Sequence, residues 1–224
     1  MQNYPLYKCE TLLVVVVPLL VLYLKGNWPL RKVIPPLVII PILWYFTYAP
    51  IHELSHAAGI YLVGGKVIVW KLIPRFWLGE FARAWLTSSG INQSWQQLAM
   101  SASPYILDIV CFVGAIFVFR RCSSRNPFLI GLAFMLLCLR PAFDFVCEPI
   151  AFLSGDRGDF YAIQQIIGPF ELWSFILISI GLAVYSMSST LSHSVSFSKH
   201  QIGQNTDPTK HNIVQKGEKN ESYQ

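Results

Sequence analysis

Residues 38–65 read "VIIPILWYFTYAPIHELSHAAGIYLVGG". The stretch begins without a single charge, and then His52, Glu53 and His56 arrive within five positions. A charged side chain at mid-bilayer costs on the order of 3 kcal/mol even on the mildest insertion scale. Ionisable groups in so apolar a run therefore mark a functional site by default.

The chain around it is built the same way. Charged residues make up 13% of the 224 positions, against about 25% in an average soluble domain. Nearly uncharged runs recur at 11–24, 33–51, 98–119, 127–139 and 172–189. Crossing the hydrocarbon core takes about 20 mainly apolar residues. The run 33–51 continues through the motif and gives a span over 33–63, with the motif helix itself over about 36–63. Runs 98–119 and 168–189 are of spanning length, and 127–153 spans only by burying Arg140, Asp144 and Glu148. The first run, "TLLVVVVPLLVLYL" (11–24), is short and holds Pro18. It is followed by "KGNWPL" rather than a small-residue cleavage site, so it reads as a first anchor and not a signal peptide. The fold class is thus mainly α: a polytopic transmembrane helical bundle of four to six spans, with residues 1–189 as one membrane domain.

The short basic loops "KGNWPLRK" and "RRCSSRN" fall on the same side as the tail, which makes that side cytoplasmic by the positive-inside rule. Their charge explains the net +5, which is therefore no nucleic-acid signal. Residues 190–224 are polar, with few large apolar side chains, and read as a disordered tail. Five cysteines without C-x-x-C spacing exclude a cysteine-ligated metal and a disulfide framework. After Gly64-Gly65 the segment 64–86, "GGKVIVWKLIPRFWLGEFARAWL", is rich in β-branched residues and punctuated by Pro74 and Gly79. It predicts a small β element of two or three short strands, with an aromatic-rich interfacial loop as the alternative.

On a helix, positions i and i+4 share a face, so His52 and His56 can turn a ring nitrogen to one ion. Catalytic zinc takes three protein ligands and keeps one position open, where it lowers the pKa of a water to about 7. Glu53, rotated about 100° from His52, flanks that position and can take the water's proton and later return it to a leaving amine. This H-E-x-x-H spacing is the signature of zinc metallopeptidases. The other histidines, His193, His200 and His211, all lie in the polar tail, so a carboxylate must be the third ligand. Asp108, Asp144, Glu148, Asp156 and Asp159 are available. Asp144 stands four residues after Arg140 and can simply pair with it. Asp108 has no basic neighbour in sequence and could be a ligand or a polar helix contact. Asp156 and Asp159 follow a glycine turn in "SGDRGDFYAIQQIIG" and could be mere helix caps.

"HELSHAAGIYLVGGKV" in an apolar helix, a strand-like segment after it, and a glycine–aspartate turn about 100 residues on resemble the site-2 protease family of intramembrane zinc metalloproteases, and among them its compact members. The resemblance covers roughly residues 35–170 and rests on the H-E-x-x-H helix. It implies zinc held by His52 and His56, Glu53 as the catalytic base, and membrane-embedded protein substrates in the lipid bilayer. The family takes its third ligand from an L-D-G motif opening a later helix. This chain has no L-D-G and no N-x-x-P lead-in; "LRPAFDF" stands where the latter would be, and "GDFYAI" sets Asp159 beside a glycine. Asp159 is thus the implied third ligand, ahead of Asp156 and then Asp144. Two other classes stay open: a non-catalytic membrane binding protein, which the missing L-D-G favours, and a small transporter lined by Arg140, Asp144, Glu148 and the histidines.

Overall fold

The computed structural model describes residues 12–73, 84–121, 126–155 and 157–205. The expected breaks at Pro74 and Gly79, the candidate ligand Asp156 and the tail beyond 205 lie outside the described residues. The chain is mainly helical. A wide π-helical turn, Leu12–Val16, leads into α1 (Val17–Lys25), and α2 (Leu30–Leu62) carries the H-E-x-x-H motif. Strands β1 (Lys66–Lys71) and β2 (Trp85–Ser89) follow. Then come α3 (Ser94–Arg121), α4 (Pro127–Leu153, with a π turn at Met135–Leu139), α5 (Asp159–Ile167) and α6 (Pro169–Asn205).

Four of these helices are long and apolar enough to cross a membrane: Leu30–Leu62, Ser94–Arg121, Pro127–Leu153 and, in α6, Pro169–Ser192. The apolar helix Leu13–Lys25 is shorter than a crossing needs; it packs Leu19, Leu22 and Tyr23 inward, and the Tyr23 hydroxyl donates to the Pro127 carbonyl at the start of α4. The outer faces are apolar in stripes. Ile34, Val38, Ile42 and Phe46 stand exposed at every fourth position of α2, and Ile106, Val110, Val113 and Phe117 stand exposed at spacings of three and four along α3. Soluble monomers rarely expose contiguous apolar surface on this scale. It suits helices whose outer solvent is lipid.

At 33 residues, α2 is roughly 50 Å long, more than the hydrocarbon core requires. It tolerates Pro35, Pro36, Pro41 and Pro50 inside it. The helix stops where the Gly64-Gly65 pair predicts. Gly64 has φ +82°, the Gly65 amide donates to the Ile60 carbonyl at 2.9 Å, and the Gly64 amide to Tyr61 at 3.1 Å. These are the two bonds of a Schellman cap. The β element is two antiparallel strands, Lys66 opposite Ser89 through Lys71 opposite Trp85, with a bulge between Val67 and Val69. α4 starts on an Asn126 cap, whose side chain accepts from the Phe128 amide, followed by Pro127.

Two apolar clusters fill the bundle. One joins α1, the first half of α2 and α4 as far as Phe143 through Leu19, Ile40, Trp44, Phe134 and Phe143. The other joins α3, the second half of α4, α5 and α6 through Tyr105, Phe112, Phe145, Phe160 and Leu172. The last helix is longer than the expected span 168–189. It continues across the change of composition at Thr190 to Asn205, because a helix need not end where its apolar surface does.

Candidate metal centre

His52 and His56 lie on the last third of α2. His56 stands six residues before the end of the helix, roughly 9 Å along its axis. The motif is therefore close to the end of the bundle that carries the strands. Their rings sit one turn apart with centroids 4.9 Å from each other. Glu53, between them in sequence, is half-buried and near enough to His52, His56 and Asp159 to interact with each electrostatically.

Asp159 is the first residue of α5, set there by Gly158. Its carboxylate reaches across to both rings: Oδ2 is 2.9 Å from His56 Nε2 and 3.4 Å from His52 Nε2. The three side chains are mostly shielded, at 12%, 9% and 24% exposure for His52, His56 and Asp159, and the last leaves a way in from outside. Burial alone would raise the Asp159 carboxyl. Hydrogen bonds from the two imidazoles outweigh it and hold the group below the ordinary carboxylate range.

The other nitrogen of each ring is engaged elsewhere. His56 Nδ1 is 2.9 Å from the Met100 carbonyl on α3. A helix normally spends that carbonyl on the amide four residues on, but that residue is Pro104, which has no N–H. Gly59 allows the approach: a Cβ there would stand 2.9 Å from the Ala99 carbonyl and 3.1 Å from Met100 Cα. His52 Nδ1 lies 3.3 and 3.4 Å from the two oxygens of Asp144.

Proton counting leaves room for a cation at the convergence. If each Nδ1 carries its hydrogen, each Nε2 offers a lone pair, and two lone pairs face one anionic oxygen. Without a cation, protons on the rings or on Asp159 would have to occupy that place. The donor set fits a metal: His52, His56 and Asp159 each offer one ligand atom, all within 4.8 Å of one another. Ligands at about 2.0–2.1 Å in a tetrahedron are about 3.3–3.4 Å apart, which the 3.4 and 2.9 Å separations approach. Two imidazoles and a carboxylate are a set zinc accepts.

The other carboxylates fall elsewhere. Asp144 faces Nδ1 of His52, not Nε2, and so stands outside the converging set. It also pairs with Arg140, 3.6 Å away one turn back on its own helix, as the spacing allowed. Asp108, which lacks a basic neighbour in sequence, is paired in space with the same Arg140 across the α3–α4 contact. Arg140 and Asp144 are both buried, as a spanning 127–153 requires, while Glu148 is half-buried. Two partners escaped the sequence reading, the Met100 carbonyl and the Tyr48 hydroxyl, which donates to Asp144 Oδ1 at 2.6 Å. Pro104 was the available signal for the first, since a proline inside a helix predicts an unclaimed carbonyl four residues earlier. Comparison of the chain with family models, with curated proteins and with solved structures returns no match, so the site stands on its own geometry.

Proposed function

We propose that this chain is a multi-pass intramembrane zinc metallopeptidase, with His52, His56 and Asp159 as ligands and Glu53 as general base and acid. The observation that carries the reading is the convergence of two imidazole Nε2 atoms and one carboxylate oxygen beside a half-buried glutamate. Zinc bound there would supply a Lewis acid and bring the pKa of a water near 7. Glu53 would serve as the base that takes the water's proton and as the acid that returns it to the leaving amine. The aspartate opening a later helix also fits the resemblance to site-2 proteases, although L-D-G is absent. In this reading the polar carboxyl-terminal tail is cytoplasmic.

The substrates are membrane-embedded proteins whose cut segment must be extended, because peptide bonds inside a helix are shielded. A strand edge can hold such a segment by main-chain hydrogen bonds. β1 and β2 lie beside the site, with Ser88 Oγ 3.7 Å from the sulfur of Met100, the residue whose carbonyl holds His56. Ile68, Val69 and Trp70 on β1 are exposed. Proline at Val67 or Val69 is expected to abolish cleavage while zinc stays bound, and undiminished turnover would remove strand addition from the proposal.

Glu53→Gln tests the chemistry. The variant should keep its zinc and lose about 10²–10⁴-fold in peptide cleavage. Turnover at the wild-type rate would contradict the peptidase reading and favour a transporter or binding protein.

A further inference from the structure

The carboxylate of Asp144 is completely buried, yet it takes no part in the convergence of Nε2 atoms. It lies at the opposite edge of the His52 ring, its two oxygens almost equidistant from Nδ1 at 3.3 and 3.4 Å. Tyr48 donates its hydroxyl to Oδ1 at 2.6 Å, and Arg140 Nη1 stands 3.6 Å from Oδ2. Arg140 is in turn paired with Asp108 through Nη2. The order across the bundle is Asp108 on α3, Arg140 and Asp144 on α4, and Tyr48 and His52 on α2.

Arg140, one turn away on the same helix, is shared with Asp108 and stands 3.6 Å from Asp144, so it supplies charge but no hydrogen bond. Asp144 instead collects two further partners from α2, themselves one turn apart. What this adds is orientation. Which nitrogen of a histidine is free to bind a metal is set by the hydrogen bond the other one makes, and a carboxylate partner also makes the ligating nitrogen more basic. We infer that Asp144 is a positioning residue, which keeps the hydrogen of His52 on Nδ1 and thereby presents the Nε2 lone pair to the point shared with His56 and Asp159. The inference rests on the metal reading above. Tyr48 and Arg140 fix Asp144 in place, whereas Asp108, which is paired with Arg140 and interacts with Asp144, has no contact with the His52 ring nitrogens.

The test is zinc affinity, measured on the full chain in detergent by competition with a chromogenic chelator, together with the visible spectrum of the cobalt-loaded protein. Asp144→Asn keeps the shape and removes the charge. It should weaken zinc binding about 10–100-fold and shift the cobalt bands. Asp108→Asn perturbs the same buried ion cluster one residue further from His52, with Asp144 still in place; its loss of zinc affinity should be clearly smaller than that of Asp144→Asn, because the Asp144 contact with His52 remains. Tyr48→Phe removes one hydrogen bond to Asp144 and should weaken binding about 3-fold, the worth of a modest hydrogen bond. Equal zinc affinities in wild type and Asp144→Asn, or equal losses in Asp144→Asn and Asp108→Asn, would overturn the positioning role. If Asp144→Asn does not fold, Tyr48→Phe decides, and an unchanged affinity there overturns it as well. A wild type that takes up no zinc gives a different result, which refutes the metal reading itself.

Discussion

Every fourth residue along one stripe of α2 is Trp44, Tyr48, His52 and His56, and the two ends of that stripe live in different worlds. Trp44 is fully buried against Phe143, with ring centroids 4.9 Å apart, and stacks on Tyr48 at 5.1 Å. One and two turns further on, His52 and His56 meet Asp144, Asp159 and a backbone carbonyl. Tyr48 belongs to both layers, for its ring packs on Trp44 and Phe143 while its hydroxyl serves Asp144. The backbone is the same continuous helix throughout. What changes is the facing chain: Phe143 and Asp144 are neighbours in sequence, and one residue along α4 exchanges an apolar partner for an anionic one. Stability should therefore be concentrated at the Trp44 end and metal affinity at the histidine end, with limited crosstalk.

Trp44→Ala gives the largest expected separation of the two layers. It should lower unfolding free energy by about 3–5 kcal/mol, followed by denaturant titration in micelles, while the folded fraction keeps its zinc ratio. Loss of zinc from folded protein would show that the layers are one unit. Gly59→Ala acts at the close approach of α2 and α3. Its new methyl meets the Ser103 hydroxyl first and then the Ala99 carbonyl, and the strain should cost about 1–3 kcal/mol and weaken zinc as well, because it pushes Met100 from His56. Pro104→Ala is the subtlest. Alanine restores a backbone N–H that competes for the Met100 carbonyl, so helix stability should rise by up to about 3 kcal/mol while zinc affinity falls about 2–5-fold, a shared rather than a lost hydrogen bond. Movement of both quantities in the same direction would remove the carbonyl's special role.

The sequence exposed the parts of this arrangement that follow from local rules. Residue spacing puts His52 and His56 on one face, apolar runs give four helices of spanning length, and Gly64-Gly65 announces the stop that the Schellman cap makes. Asp159 was one of five acidic candidates, and neighbouring glycine with family resemblance ranked it first without geometry. The rest depends on contacts between distant segments. Nothing local says that Asp108 meets Arg140, 32 positions away, or that Asp144 divides itself between Arg140, Tyr48 and His52. Backbone acceptors such as the Met100 carbonyl carry no residue signature; only the gap left by Pro104 betrays it. Composition likewise marked Thr190 as the start of a disordered tail, whereas the last helix runs on to Asn205.

The proposed centre is tested most directly by zinc stoichiometry in the purified full-length chain, by elemental analysis, for wild type, His56→Ala and Asp159→Asn. One zinc per wild-type chain, with the bound metal lost from His56→Ala and Asp159→Asn while each stays folded, is the expected result. A wild type without zinc, or an Asp159→Asn variant that holds it as tightly as wild type, would contradict the assignment.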